Sequence, residues 1–229
     1  MKFLFCLPFA GGNQYSFREL KNALPSSVTL VPIDYPGRGA RLKEPLMSSL
    51  DGMAADVLEQ VKGRLSTPYA LYGHSMGAAI GFELAHKIRE NGLPGPLHLF
   101  VSGRNAPSSP RRREPISHLP SAQFRAKIKE LGGSPDEVLN NHALMELFEP
   151  ILKNDFLAHE TYSYTRRRPF DFPITAMYGD SEDLPPEEVD KWGLETGGPF
   201  DKLAFGGDHF FIFRHWKTIA SYISENLTP

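Results

Sequence analysis

Residues 69–79 read YALYGHSMGAA and contain the spaced pattern Gly73-x-Ser75-x-Gly77. An apolar run precedes the pattern, and small residues typical of a closely packed helix follow it. A nucleophile elbow needs this order of strand, sharp turn and helix, and its glycines let the backbone bend and the helix approach the sheet. Ser75 is therefore a candidate nucleophile, and the alternative is a tight turn with an incidental serine.

Six short apolar runs separated by Gly, Pro or Asp occur along the chain, at residues 3–7, 28–33, 69–72, 97–101, 174–178 and 202–205. Most are apolar on both faces, which is typical of strands buried in a parallel sheet. Helical periodicity lies between several of them, over residues 50–65, 78–88 and 216–223. This alternation predicts an α/β fold with a mostly parallel sheet flanked by helices.

The segment of residues 104–172 breaks the alternation, because the loop-forming NAPSSPRRREP is followed by helical signals. Apolar residues recur at helical spacing over 124–131, and a capping box at 134–137 predicts the start of another helix. A wide apolar stripe over 144–152 predicts a further helix, which Pro150 should kink or end.

We therefore expect residues 1–103 and 173–229 to form the α/β core and residues 104–172 to form a helical insertion. Ligands of open α/β sheets bind at the carboxyl edge of the strands, so we interpret the insertion as a lid over that edge. The alternative is that its helices are additional core, because an apolar stripe alone does not distinguish the two.

Composition excludes several classes of protein. The 229 residues carry a formal net charge of −2, which provides no global field for nucleic acid or an anionic membrane. A single cysteine, Cys6, excludes an internal disulfide and a Cys-rich metal site, and we expect it to be buried in a strand. No apolar run approaches the ~20 residues of a membrane span, and MKFLFCLPFAGG reads as a first strand rather than a signal peptide. We expect a monomeric cytoplasmic protein.

A serine nucleophile needs a base, and the chain offers eight histidines. His209 follows the last predicted strand and a Gly-Gly-Asp loop, which is where the order serine, acid, histidine requires the base. The acid should follow the strand at 174–178, where Asp180, Glu182 and Asp183 are all close enough. Spacing alone does not choose among these three carboxylates.

An oxyanion hole needs two backbone N–H groups. Met76 should provide one, because it directly follows the serine, and the loop PFAGG at residues 8–12 should provide the other. That loop lacks the phosphate-binding patterns of nucleotide sites, so we expect no nucleotide cofactor.

Together these motifs resemble the type II thioesterases of polyketide and nonribosomal peptide synthesis, within the α/β-hydrolase superfamily. The resemblance runs nearly end to end, through CLPFAGGNQYSF, YPGRGAR, GHSMG, LGGSPDEVLNN, LMELFEPILKNDFLAHETYSY, YGDSED and FGGDHFF. It implies Ser75 as nucleophile, His209 as base, and Ala10 beside Met76 as the second oxyanion donor.

For the acid, the resemblance favours Asp183, which ends Ser-Glu-Asp and precedes Trp192 by nine residues. One extra residue separates Gly179 from Asp183 compared with the usual spacing, so Asp180 stays open, as does Glu182.

The resemblance further implies a serine thioesterase that hydrolyses acyl groups from the phosphopantetheine thiol of acyl or peptidyl carrier proteins and removes aberrant or stalled units. No cofactor or metal is implied. The alternatives are a medium-chain fatty-acyl carrier-protein thioesterase, a free-standing carboxylesterase or lipase, and a non-enzymatic carrier-binding module.

Two arginine clusters flank the insertion: Arg111, Arg112 and Arg113, and Arg166, Arg167 and Arg168. Carrier proteins of this class are acidic, so the clusters are candidates for carrier docking, and solvated loop charge is the alternative. Arg38 and Arg41 are candidates for contact with the pantetheine phosphate, or for anchoring of their own loop.

Overall fold

The computed structural model describes residues 1–110, 114–131 and 141–227. Its strands are β1 (Lys2–Leu7), β2 (Val28–Pro32), β3 (Tyr69–His74), β4 (Leu99–Ser102), β5 (Ile174–Gly179) and β6 (Phe200–Phe205). They form one sheet in the order β2-β1-β3-β4-β5-β6, and every neighbouring pair is parallel. The six predicted strands are confirmed, with ends that shift by no more than two residues.

The described helices are α1 (Arg18–Ala23), α2 (Leu50–Val61), α3 (Met76–Glu90), α4 (Ser121–Leu131), α5 (His142–Thr161), α6 (Pro186–Asp190) and α7 (Ile212–Leu227). The periodicity predicted α2, α3 and α7. It missed α1 and α6, whose six and five residues are too short for a helical period to be read. Within the described ranges, no helix has both the length and the apolar character needed to cross a bilayer.

Each face of the sheet carries its own core, and β1 shows how the sequence supplies both. Phe5 and Leu7 join the apolar cluster that contains α2 and α3, whereas Leu4 and Cys6 join the cluster that contains α1 and α7. Successive side chains of a strand point to opposite faces, so a strand between two cores must be apolar at every position. Cys6 is a buried free thiol, as expected, and burial raises its pKa.

Helices α4 and α5 lie between β4 and β5 and pack together through a separate apolar cluster of Phe124, Ile128, Met145 and Leu152. We refer to residues 104–172 as the helical segment; their limits as a domain boundary remain a prediction. Pro150 was expected to kink or end its helix. Helix α5 continues through Pro150, so the second of these two outcomes is wrong. The capping box predicted at 134–137 lies outside the described residues.

Candidate active site

Ser75 lies in a strained turn between β3 and α3. Strand β3 ends at His74 and helix α3 begins at Met76, so Ser75 is the residue that joins them. It has φ 55° and ψ −113°, and among the described residues it is the only non-glycine with a positive φ. Such backbone strain persists only where the surrounding structure enforces it, and it clusters at functional sites. The predicted elbow is present.

The two glycines of the elbow are required by close backbone contacts. A Cβ atom at Gly73 would lie 2.2 Å from the carbonyl oxygen of Gly77. A Cβ atom at Gly77 would lie 2.0 Å from the carbonyl oxygen of Leu7. Both obstacles are backbone atoms, which cannot rotate away as a side chain can. The glycines therefore allow the first turn of α3 to lie directly against β1 and β3.

His209 lies on the loop that follows β6, at the same carboxyl edge of the sheet as Ser75. Its ring centroid is 5.0 Å from that of His74 and 4.9 Å from that of Phe210. Ser75 and His209 both line one cavity of about 800 Å³. The candidate nucleophile and the candidate base therefore face the same space.

Glu182 is the carboxylate bound to this histidine. His209 Nδ1 lies 2.5 Å from Glu182 Oε1, and Glu182 Oε2 accepts a hydrogen bond from the N–H of Gly179 at 3.3 Å. The Glu182 side chain is 5 % exposed. Asp183, the expected partner of His209, lines the cavity but is an exposed residue. The structure therefore corrects the expected pairing from Asp183 to Glu182.

The turn after β5 explains this correction. The N–H of Glu182 donates to the carbonyl of Gly179 at 3.1 Å, which folds residue 182 back over the end of the strand. Asp180 is engaged elsewhere, because the N–H of Gly207 and the hydroxyl of Ser181 donate to its carboxylate and lower its pKa. The extra residue between Gly179 and Asp183, which kept Asp180 open as an alternative, is the sequence signal that could have indicated Glu182.

Met76 and Ala10, the expected oxyanion donors, line the same cavity. Met76 is the first residue of α3, and the first N–H groups of a helix have no partner within the helix. Ala10 lies in the loop after β1, which is closed by a hydrogen bond of 2.8 Å from Gly12 N–H to the Phe9 carbonyl. The Phe9 ring packs edge-on against that of Phe210, with the ring centroids 5.2 Å apart, and both residues also line the cavity.

Much of the remaining cavity lining comes from the helical segment, and it mixes apolar side chains with charged ones such as Glu114, Lys127 and Glu130. Its apolar members include Ile116, Ile128, Leu131, Leu152 and Phe156. Residues 104–109, the part of this segment that directly follows β4, also line the cavity. Walls of this kind suit an acyl chain, whose burial is favourable in proportion to its apolar surface.

His74 is fully buried beside the candidate base. Its Nδ1 lies 2.9 Å from the hydroxyl oxygen of Ser102. Burial, with the nearby His209 as a smaller cause, lowers the pKa of His74 well below its usual value. The residue before the nucleophile is therefore a neutral imidazole at physiological pH.

Both candidate phosphate-binding arginines anchor the structure around their own loop. Arg38 is buried in an ion pair with Asp155 of α5. Arg41 binds Asp56, with Nη2 2.8 Å from Oδ1, and its Nε lies 2.9 Å from Glu44 Oε1. These contacts favour the anchoring interpretation over a direct contact with phosphate.

Of the two arginine clusters, the second lies within the described residues, and its three members have different surroundings. Arg111, Arg112 and Arg113 lie outside the described residues. Arg167 binds the buried Glu83 through Nη2, at 2.6 and 2.7 Å to the two carboxylate oxygens, so it holds the fold together. Arg166 and Arg168 are exposed, and Arg168 forms a surface ion pair with Asp171 at 3.0 Å.

A strained serine between a strand and a helix, in a wholly parallel sheet with helices on both faces, defines a hydrolase of the α/β-hydrolase fold. A family model for the thioesterase domain matches residues 2–227 of this chain. The chain therefore belongs to the thioesterase family, and it is a thioester hydrolase. The resemblance inferred from the sequence is confirmed.

Individual relatives cover nearly the whole chain. The gramicidin S biosynthesis protein GrsT of Aneurinibacillus migulanus is 34% identical over 225 residues, which cover 98% of this chain and 88% of GrsT. ClbQ, from the colibactin NRPS/PKS pathway, has a solved structure that matches with a TM-score of 0.94 at 33% identity, covering 99% of this chain and 96% of ClbQ. BorB, a type II thioesterase from the borrelidin biosynthetic cluster, matches with a TM-score of 0.91 at 32% identity, covering 99% and 93%.

Proposed function

We propose that this thioesterase is an editing enzyme that hydrolyses acyl groups from the phosphopantetheine thiol of acyl or peptidyl carrier proteins. It removes aberrant or stalled units in polyketide or nonribosomal peptide synthesis and acts as a cytoplasmic monomer. Support comes from its relatives, because ClbQ belongs to an NRPS/PKS pathway and BorB to a biosynthetic cluster. The observation that carries the chemistry is the His209–Glu182 hydrogen bond, in the cavity that also contains Ser75.

In the first step, the Ser75 hydroxyl attacks the thioester carbonyl while His209 Nε2 takes the hydroxyl proton. Glu182 holds the opposite nitrogen, Nδ1, and stabilises the imidazolium that forms. The N–H groups of Met76 and Ala10 bind the carbonyl oxygen as it becomes negative. The carbon–sulfur bond then breaks, and the leaving pantetheine thiol receives the proton from His209.

In the second step, a water molecule loses a proton to His209 and adds to the acyl-serine carbonyl. The bond to Ser75 breaks, the serine oxygen regains a proton from His209, and the free acid leaves. The same oxyanion donors serve both steps, because each step passes through a tetrahedral intermediate. The helical segment acts as a lid that covers the acyl chain and excludes water from all but the reacting centre.

The test is intact-mass measurement of carrier proteins loaded with different acyl groups, after incubation with the wild type or with Ser75→Ala. We expect the wild type to return the free phosphopantetheine form, and Ser75→Ala to be slower by about 10⁴–10⁶-fold. The carrier assignment would be contradicted if the wild type hydrolysed small thioesters but left the mass of every acyl-carrier protein unchanged.

Two further measurements separate the alternatives. Matched thioesters and oxygen esters of one acyl chain distinguish a thioesterase from a general carboxylesterase or lipase, and a chain-length profile distinguishes an editing enzyme from a medium-chain releasing enzyme. Labelling of Ser75 by a fluorophosphonate would exclude a non-enzymatic carrier-binding module. This reagent reacts with a serine that is activated as a nucleophile, which a non-enzymatic module lacks.

We propose that Arg166 and Arg168 contribute to carrier docking, because both are exposed and Arg167 is committed to Glu83. Arg166→Glu with Arg168→Glu should raise KM several-fold for an acyl-carrier substrate and leave KM for a small acyl thioester unchanged. Equal effects on the two substrates would contradict docking. Arg18→Glu, a charge reversal in the exposed part of α1, is the matched control.

A further inference from the structure

A buried carboxylate of α5 contacts the loop that carries Ala10. Asp155 is fully buried, lines the cavity and accepts a hydrogen bond from Gly11 N–H to its Oδ2 at 2.8 Å. Gly11 directly follows Ala10 and has a φ of 77°, a conformation that glycine adopts readily. Because peptide units are planar, a bond to the N–H of Gly11 fixes the unit that joins Ala10 to Gly11, and this unit adjoins the one that carries the Ala10 N–H. The carbonyl of that adjoining unit, on Phe9, accepts from the N–H of Gly12 at 2.8 Å.

Arg38 holds this carboxylate in one orientation. The guanidinium binds both oxygens of Asp155: Nη2 lies 2.7 Å from Oδ1, and Nη1 also contacts Oδ2. The side chains are 2% and 0% exposed. A carboxylate so deeply buried needs a paired charge, and a two-point contact with a guanidinium sets its direction as well as its charge. Asp155 is therefore rigidly aimed at the loop.

The same loop is fixed on the other side of Ala10. The Tyr35 hydroxyl donates to the carbonyl of Pro8 at 3.1 Å, and the Arg38 guanidinium lies over the Tyr35 ring at 5.3 Å from its centroid. Ala10 thus stands between two anchored residues, Pro8 and Gly11. The anchor at Gly11 comes from the helical segment, whereas the anchor at Pro8 comes from the core.

We propose that Asp155 is a positioning residue for the oxyanion hole, through which the placement of α5 fixes the Ala10 N–H. The inference rests on the proposed function, because it requires that N–H to bind the thioester oxygen. Donors to an oxyanion are effective when they are in place before the charge develops. A displacement of α5 that breaks the contact with Gly11 leaves the oxyanion hole incomplete, so the enzyme is fully active only with the helical segment seated.

The test must separate positioning from stability, because loss of one member of a buried ion pair is strongly destabilising. The main variant is the double substitution Arg38→Met with Asp155→Leu, which replaces both charges by apolar side chains of similar size and is often tolerated at buried pairs. It removes the acceptor for Gly11 N–H without leaving an unpaired charge. The conservative companion is Arg38→Met with Asp155→Asn, because it keeps an oxygen that can accept from Gly11 and leaves no unpaired buried charge.

The matched control is a second ion pair of the helical segment that lies away from the loop. Arg125 of α4 binds Glu149 of α5, with Nε 2.7 Å from Oε2. The double substitution Arg125→Met with Glu149→Leu removes a pair of the same chemistry from the same segment. We expect it to leave kcat within about twofold of the wild type.

We expect Arg38→Met with Asp155→Leu to lower kcat on a small acyl thioester by about 10²-fold, as loss of an oxyanion donor does, with KM changed by less than about threefold. The affinity for a trifluoromethyl ketone, whose adduct with Ser75 carries an oxyanion, should fall by the same factor as kcat/KM. Arg38→Met with Asp155→Asn should restore most of the loss.

A double variant with a wild-type thermal unfolding midpoint and a kcat within about threefold of the wild type would overturn the inference. So would equal losses in this variant and in the Arg125/Glu149 control. Failure of the proposed function can be distinguished from failure of this inference. If the proposed function is wrong, the wild type itself leaves acyl-carrier proteins unhydrolysed.

Discussion

The elbow, residues 73–77, and the acid loop, residues 180–184, both follow strands of one parallel sheet and face one cavity, yet different forces fix them. In the elbow, backbone atoms meet at distances that only glycine permits, and Ser75 takes a φ of 55° as a result. In the acid loop, side-chain hydrogen bonds decide which carboxylate reaches His209, and Glu182 is selected while Asp180 binds the N–H of Gly207.

This difference determines what each region reveals in the sequence. Steric exclusion can be recognised in a sequence, because it requires glycine at Gly73 and at Gly77, where no other amino acid fits. A hydrogen bond leaves none when three carboxylates stand within four residues. Substitutions in the elbow should therefore lower both stability and activity, whereas substitution of Glu182 in the acid loop should lower activity with little change in stability.

The largest expected effect concerns the acid loop. Glu182→Gln should lower kcat by about 10³–10⁴-fold, because a neutral amide no longer stabilises the imidazolium of His209 and favours the wrong tautomer. Its thermal unfolding midpoint should stay near that of the wild type. Steady-state kinetics on a small acyl thioester and a thermal melt measure both quantities.

The controls are Asp183→Asn and Asp180→Asn, which keep kcat within about threefold if Glu182 alone orients the base. A large loss of kcat in Asp183→Asn, with Glu182→Gln nearly unaffected, would show that the Glu182 contact is absent during turnover. That result would also remove the contrast between the two regions, since the acid loop would then be rearranged by substrate.

The second effect concerns the elbow. Gly77→Ala should lower the free energy of unfolding by about 3 kcal/mol or more, because its Cβ would lie 2.0 Å from the Leu7 carbonyl oxygen. Gly63→Ala is the matched control, since a Cβ at that position meets nothing within 4 Å. Urea denaturation measures both. Equal stability of the two variants would mean that α3 can withdraw from β1 at little cost.

The smallest expected effect is a difference in the pH dependence of stability between the two regions. His74 in the elbow has a pKa well below 6.5, so the unfolded chain binds one more proton than the folded chain as pH falls below 6.5. The free energy of unfolding therefore decreases on acidification, by up to about 1.4 kcal/mol per pH unit for this group. His74→Gln should reduce that slope.

In the acid loop, Asp180 has a pKa below 3.8, so the stability it contributes is present above that pH and is lost only as the pH falls through its folded-state value. Asp180→Asn should accordingly leave the slope of the unfolding free energy against pH unaltered between pH 5 and 6.5. Urea titrations at a series of pH values measure the two windows. A change in slope above pH 5 for Asp180→Asn would contradict the assignment.

Much of the fold and half of the site follow from the sequence because local signals carry them. Strands buried on both faces must be apolar at every position, as in β1. The spacing of Gly73 and Gly77 around the serine indicates the elbow. Contacts between distant residues leave no such trace. The Asp155 carboxylate meets the N–H of Gly11 across 144 positions of the chain, and nothing local to either residue indicates the other.

Strand β6 is an edge strand, which pairs with β5 alone among the described strands. The loop that carries His209 directly follows β6. Border strands open at lower free energy than central ones, because one row of amide groups faces solvent. Brief fraying at this margin would withdraw the imidazole and switch off hydrolysis, while the elbow in the interior of the sheet stayed intact.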